Sequence, residues 1–329
     1  MLNLYPPSAH NVYGGAKLTY PPEIDAACQE IYKACKGLGT DEKTLTNVLG
    51  TKSPETRYLI ALRYKELFNK SLKDLIKSET SGDYGRLLAL LTVPLPEAEA
   101  DIIRHATKGA GTTEKYLFPV LMGRTNVEIN ILKKTYFDLY NQDLGVLLNS
   151  ELSGDFKKSI LAAIQGSMVD YSPEFHTQKK AEDDADALYK AGEGKWGTDE
   201  ETFIKIVVTS PPQHLRNVNA VYTKKHNNTI IRAVEKEFGG DAKKALLFLV
   251  RMVLEPLELL AEHFESTMKG FGTDESGLSY ALVRYHCVLP QIKEAYKKIY
   301  KKDLRERIHG ETSGDFRALL LNLYDAPTH

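Results

Sequence analysis

The sequence predicts an all-α chain built of four stacked helical modules. Three observations carry this reading. A short glycine loop returns four times, an acid follows each loop at a nearly fixed distance, and the apolar residues between them keep a helical period with no convincing strand-like alternation.

The first loop is Lys36-Gly37-Leu38-Gly39-Thr40-Asp41-Glu42 and the second is Lys108-Gly109-Ala110-Gly111-Thr112-Thr113-Glu114. The fourth is Lys269-Gly270-Phe271-Gly272-Thr273-Asp274-Glu275, and the third is a variant, Gly192-Glu193-Gly194-Lys195-Trp196-Gly197-Thr198-Asp199-Glu200. One copy would mean little; four copies entering similar helical patterns set an architecture. Glu79, Glu151 and Glu237 each lie 40 positions after the last glycine of their loop, and Glu311 lies 39 after Gly272.

Taken in order, residues 1–20 hold Pro6-Pro7 and Gly14-Gly15 and read as an irregular N-terminal arm, open to a protein partner. Pro21-Pro22 opens the first helix, with Ile24, Ala27, Cys28, Ile31 and Ala34 at helical spacing. The glycine loop ends it. Thr40 reads as the N-cap of the next helix, and Asp41 and Glu42 suit the positive end of its dipole. Pro54 starts a third helix, a short fourth helix runs from about Leu72 to Ile76 before Glu79, and Ser81-Gly82-Asp83 opens a fifth. The order then recurs. The expected divisions are an arm at 1–20, repeats at 21–92 and 93–165, a linker at 166–180 between two pairs of repeats, and repeats at 181–254 and 255–325.

Composition narrows the partners. The 329-residue chain is 42% hydrophobic and 26% charged, with a net charge of −1 and no basic tail. Nucleic acid needs a clustered cationic surface, and simple adhesion to acidic lipid needs a polybasic one, so neither is expected. Three cysteines, Cys28, Cys35 and Cys287, suggest a reducing compartment and read as buried thiols. Met1-Leu2-Asn3-Leu4 leads into Tyr5-Pro6-Pro7 without a long apolar core, and runs such as Ala245 to Val250 are too short to span a bilayer. Any membrane is therefore met from one side.

Antiparallel helices would return the distant acid to the end of the module that carries the glycine loop. Glycines let several carbonyls point at one spot, and a carboxylate completes an all-oxygen shell. Calcium takes such a shell; zinc and copper would require His or Cys, which the loops lack. One carboxylate leaves a dication under-neutralised, so the site gains strength when a lipid phosphate or carboxylate supplies charge and oxygens. Four weak sites then act together through effective concentration. Trp196, the single tryptophan, sits inside the third loop and is expected at a membrane interface, with Phe271 as a weaker parallel.

With these residues in view the sequence resembles the annexin family. The resemblance rests on the K-G-x-G-T loops and their K-W-G-T variant, the acid about 40 residues on, and the Ser-Gly-Asp turn, and it covers roughly residues 20 to 325. It implies four five-helix repeats stacked as a right-handed superhelix into a curved disc, with calcium loops on the convex face. It also implies reversible, calcium-dependent binding to acidic phospholipid. Localisation follows as cytoplasmic, and peripheral on membranes when calcium rises. Carried over by residue, the first site resembles carbonyls of Cys35, Gly37 and Gly39 with Glu79. The second resembles Thr107, Gly109 and Gly111 with Glu151, the third Gly192, Lys195 and Gly197 with Glu237, and the fourth Met268, Gly270 and Gly272 with Glu311. Thr113 departs from the pattern by replacing the acid after Gly-Thr. The fourth repeat is one residue short, with Tyr285-His286-Cys287-Val288-Leu289-Pro290 at its middle, which bears on the reach of Glu311. Phe238-Gly239-Gly240-Asp241 is a looser form of the acid-following turn.

Two other classes compete. A calcium-independent helical-repeat scaffold explains the helices but not the loops. An enzyme is not expected: there is no P-loop, H-E-x-x-H or G-x-S-x-G pattern, and His105 beside the second loop reads as structural. Ion conduction is at most an accessory role without a spanning segment. No EF-hand run exists, and the acidic stretch Glu182 to Asp186 reads as a solvated helix start.

Overall fold

Proline and short polar side chains set the helix starts. Pro54 stands at the first turn of the third helix, and the Ser53 hydroxyl accepts from the Thr56 N–H at 3.3 Å. Pro22 and Pro212 stand at the first turn of two other helices, there without a side-chain cap bond. Thr125 and Glu128 form a reciprocal capping box. The third helix of every repeat ends on a left-handed residue, Asn69, Asn141, Asn227 or Lys301, with φ of 49°, 50°, 51° and 54°. That shared turn reverses the chain toward the short fourth helix.

The computed structural model describes residues 1–5, 19–194 and 196–329. Among these there are twenty α-helices, one 3-10 turn at His286–Val288 and no strand. The first repeat is α1 (Pro22–Ala34), α2 (Glu42–Gly50), α3 (Pro54–Phe68), α4 (Leu72–Glu79) and α5 (Gly82–Leu90). The second is α6 (Leu95–Thr107), α7 (Glu114–Leu121), α8 (Asn126–Tyr140), α9 (Leu144–Glu151) and α10 (Gly154–Ile164). The third is α11 (Gln178–Ala191), α12 (Glu200–Thr209), α13 (Pro212–His226), α14 (Ile230–Glu237) and α15 (Gly240–Leu254). The fourth is α16 (Pro256–Met268), α17 (Glu275–Arg284), α18 (Leu289–Tyr300), α19 (Leu304–Glu311) and α20 (Gly314–Asp325).

Three expectations need adjustment. Thr40 does not cap α2: the cap is Asp41, whose carboxylate accepts from the Thr44 N–H at 3.0 Å. Asp199 and Asp274 do the same for α12 and α17, whereas Thr113 makes no side-chain cap bond to α7. The 166–180 stretch becomes helical at Gln178, capped by Thr177. It also does not divide the chain into first and second pairs of repeats. One compact unit comprises residues 1–3 and 102–259, and the other comprises residues 4–101 and 260–329. The cause is the packing of the last helix of a repeat: α10 lies on α12 and α15, whereas α20 lies on α2.

Each unit has an apolar core with a buried ion pair. In the second unit Ile31, Leu45, Ile60, Leu87, Phe264, Leu278 and Leu320 are sealed from solvent. There the Arg284 guanidinium donates to Glu99 at 2.8 Å, both side chains being at most 2% exposed, and the hydroxyl of the buried Tyr5 donates to the other Glu99 oxygen at 2.5 Å. In the first unit Arg124 pairs with Glu128, each 1% exposed. All three cysteines are free thiols, and burial pushes Cys28 up to about 11. Lys179–Asp183, Lys180–Asp184 and Lys225–Asp186 pairs take up most of the acidic stretch on α11.

Candidate functional site: four glycine loops and their acids

Each loop is closed at its base by one backbone hydrogen bond. Asp41 N–H donates to Ala34 at 2.9 Å, Thr113 to Ala106 at 2.9 Å, Asp199 to Ala191 at 2.6 Å and Asp274 to Thr267 at 2.7 Å. Within the first loop Gly37 and Gly39 have φ of 115° and 88°, a region that L side chains rarely enter. The second and fourth loops repeat these values to within a few degrees, at 111° and 90° for Gly109 and Gly111 and 116° and 88° for Gly270 and Gly272. Among the described residues, the carbonyls of Cys35, Gly37 and Gly39 accept no hydrogen bond, and the same holds for Thr107, Gly109 and Gly111.

The acids arrive at the loops from the last residue of the fourth helix of each repeat. A threonine joins the two. The Thr40 hydroxyl lies 3.0 Å from the Glu79 carbonyl and 3.4 Å from its carboxylate. Thr112 donates to Glu151 at 3.2 Å and Thr198 to Glu237 at 2.6 Å. In the fourth repeat Thr273 lies 3.1 Å from both the carbonyl and the carboxylate of Glu311. The shortened repeat therefore keeps its reach, with a 3-10 turn at His286–Val288 between α17 and α18. The looser Phe238-Gly239-Gly240 sequence also gives the usual turn: Gly240 has φ of 55°, against 64° at Gly82.

The third loop is built differently. Lys195 lies outside the described residues. Among the described residues of this loop, only Gly197 takes a positive φ, 79°. Gly192 is pressed so closely on Glu237 that a Cβ there would come within 2.8 Å of its side chain. Glu193 then anchors the loop, accepting from Tyr222 at 2.6 Å, Asn228 at 2.9 Å and Lys236 at 2.7 Å. Burial works against the charge of Glu193, but these donors hold its carboxyl below the usual range. Beside the first loop, burial and then the neighbouring Glu79 push the Cys35 thiol up to about 11, so it stays neutral.

The loop tips carry the apolar residues. Trp196 is 104% exposed and Phe271 114%, which rules out a core tryptophan beside a turn. Leu38 is equally bare, at 109%, and Ala110 completes the set. Sequence reasoning passed over Leu38, although its place between the loop glycines matches that of Phe271. His105 stacks on Tyr116 with centroids 6.0 Å apart, a structural contact.

Four modules, each pairing a glycine loop with a returned acid, define a helical-repeat protein with oxygen-lined loop sites. A family model described as Annexin matches residues 25–91, 98–163, 183–249 and 260–323, one segment for each repeat. The chain is 39% identical over 291 residues to annexin A5 of Cynops pyrrhogaster, covering 88% of this chain and 90% of that protein. It is 36% identical over 308 residues to annexin A13 of Homo sapiens, covering 92% and 95%. Among solved structures, annexin III superposes with a TM-score of 0.87 at 32% identity, over 94% of this chain and 96% of that one. A calcium-bound annexin (Sm)1 superposes with a TM-score of 0.77 at 27% identity, over 93% and 92%. The chain belongs to the annexin family.

Calcium is the ligand of this family, whose general function is calcium-dependent phospholipid binding. The residues present fit that ion. Among the described residues no cluster of three or more His, Cys, Asp or Glu could hold a metal; what each loop offers is backbone oxygens and one carboxylate. That donor set suits a hard cation of flexible geometry. Among the described residues, no helix is long and apolar enough to cross a membrane.

Proposed function

We propose that the chain docks reversibly on acidic phospholipid from the cytoplasmic side, and that its four loops are the docking points. The carbonyls of Cys35, Gly37 and Gly39 with Glu79 form the first cage, and those of Thr107, Gly109 and Gly111 with Glu151 the second. Gly192, Lys195 and Gly197 with Glu237 form the third, and Met268, Gly270 and Gly272 with Glu311 the fourth. Bound calcium supplies positive charge and open coordination positions for headgroup oxygens. The protein's part is to hold the acids beside the loop carbonyls and to present Leu38, Trp196 and Phe271 at the tips.

The observation that carries this reading is the threonine link. In all four repeats a loop threonine donates to an acid 38 or 39 positions away, so a carboxylate is fixed at every loop. With one negative charge per loop, a dication keeps net positive charge for an anionic surface, and a protein of net charge −1 requires no basic patch. The aliphatic and aromatic tips add apolar insertion at the headgroup level.

Co-sedimentation with vesicles tests the reading. Binding is expected with phosphatidylserine vesicles and calcium, and lost with phosphatidylcholine alone or with chelator. Equal binding in chelator would contradict the proposal and favour a calcium-independent scaffold.

A further inference from the structure

The fourth loop already contains a cation. Arg307 lies one helical turn before Glu311 on α19. Its guanidinium donates to the Met268 carbonyl at 2.6 Å, pairs with Glu311, and pairs with Glu265 at 3.3 Å. The residues four positions before the other acids are Leu75, Leu147 and Ala233, all buried and apolar. Only the fourth repeat thus places a charge where its counterparts carry core side chains.

We propose that Arg307 is a built-in competitor for the fourth calcium site, so that this loop takes calcium later than the other loops. The inference rests on reading the loops as calcium cages. Met268 and Glu311 are two of the four groups assigned to the fourth cage, and both are bonded to the same guanidinium. Arginine stays charged at any physiological pH and its fork matches a carboxylate. While it is in place, Glu311 is neutralised and an arriving dication meets a like charge. Calcium can enter only when the side chain swings out, which also gives up the contact with Glu265. The apparent affinity of the loop is then its intrinsic affinity multiplied by the fraction of time the arginine is away. The exposed Phe271 is untouched by this contact, so the fourth tip remains available while its cage is closed.

Crystals of the full chain and of Arg307→Leu, soaked in a graded calcium series, test this by the metal density at each loop. In the unaltered chain the fourth loop should stay without metal at the calcium level that fills the first, with Arg307 still on Met268 and Glu311. In Arg307→Leu its half-filling concentration should fall by about tenfold while that of the first loop is unchanged. The unchanged first loop shows that the fold survives, and Arg307→Met, which keeps more of the side-chain volume, should behave as Arg307→Leu does. If the fourth loop fills together with the first in the unaltered chain, or if neither substitution shifts it, the competitor role is overturned and the loop reading stands. Calcium at none of the loops overturns the loop reading and this inference together.

Discussion

The Thr198 hydroxyl donates to the Glu237 carboxylate at 2.6 Å, joining the third loop to the last residue of α14, 39 positions away. Gly192 also packs closely on the same side chain. The acid is therefore held in one orientation before any ion arrives. Thr198→Val removes one hydrogen bond to a charged acceptor, worth about 1 kcal/mol net in a part-exposed site. Calorimetric titration with calcium should show the third loop weakened by about fivefold.

The loop tip can be followed directly. Trp196 is the single tryptophan, so its emission reports one place. Fully exposed in the free chain, it should shift to shorter wavelength when calcium and phosphatidylserine vesicles are both present, and with neither alone. Trp196→Ala should leave the unfolding midpoint within about 0.5 kcal/mol of wild type, because the side chain buries nothing. Its vesicle affinity should nevertheless drop.

Two glycines separate backbone strain from helix propensity. Gly39 has φ of 88° and open space around a hypothetical Cβ, so Gly39→Ala should cost about 1–2 kcal/mol through the backbone alone and weaken the first loop. Gly310 lies in the last turn of α19, also in open space, with an ordinary φ. Gly310→Ala should stabilise the chain by about 0.5–1 kcal/mol. Urea titration of both variants checks the pair.

Acid should weaken the unit containing repeats one and four. Burial, and then the nearby Arg57, lower His286 to about 4 in the folded chain. Burial, followed by Arg284, lowers His263 to about 4 as well. Both are neutral when folded, and both take a proton at about 6.5 when unfolded. The unfolded chain therefore binds more protons below that value. The stability they contribute is complete above about pH 6.5 and is lost as pH falls toward 4. For the buried His286 this amounts to about 2 kcal/mol by pH 5. Its ring nitrogen lies 2.9 Å from the Leu323 carbonyl, a contact that glutamine can imitate without titrating. His286→Gln should accordingly lose less stability than wild type between pH 7.5 and pH 5 in urea titrations.

The helix order and the loop-to-acid spacing were legible because both are local signals repeated at a fixed interval. Glu79 could be placed beside Gly39 from chain distance alone, whereas the reach of Glu311 in the shorter fourth repeat was settled only by its contact with Thr273. The cap was misplaced by one residue because Thr40 and Asp41 are both good caps, and Thr40 is drawn away by a partner 39 positions on. Leu38 was overlooked because an isolated leucine in a turn carries no signal until its exposure is known. Arg307 could not be read at all. Its role depends on Met268 and Glu265, which lie 39 and 42 positions away, and in the sequence it is one of several charges on a polar helix. The pairing of repeats into units was equally hidden, since it depends on which face each last helix offers to its neighbours.

The central claim is that the four returned acids complete the membrane-docking cages. The most direct measurement is the calcium midpoint for phosphatidylserine vesicle binding, in wild type and in the chain carrying Glu79→Gln, Glu151→Gln, Glu237→Gln and Glu311→Gln together. Each single change should raise the midpoint, Glu311→Gln least because Arg307 already occupies that acid, and the combined variant should need at least about tenfold more calcium. A combined variant that binds at the wild-type midpoint, with its fold intact, would contradict the account.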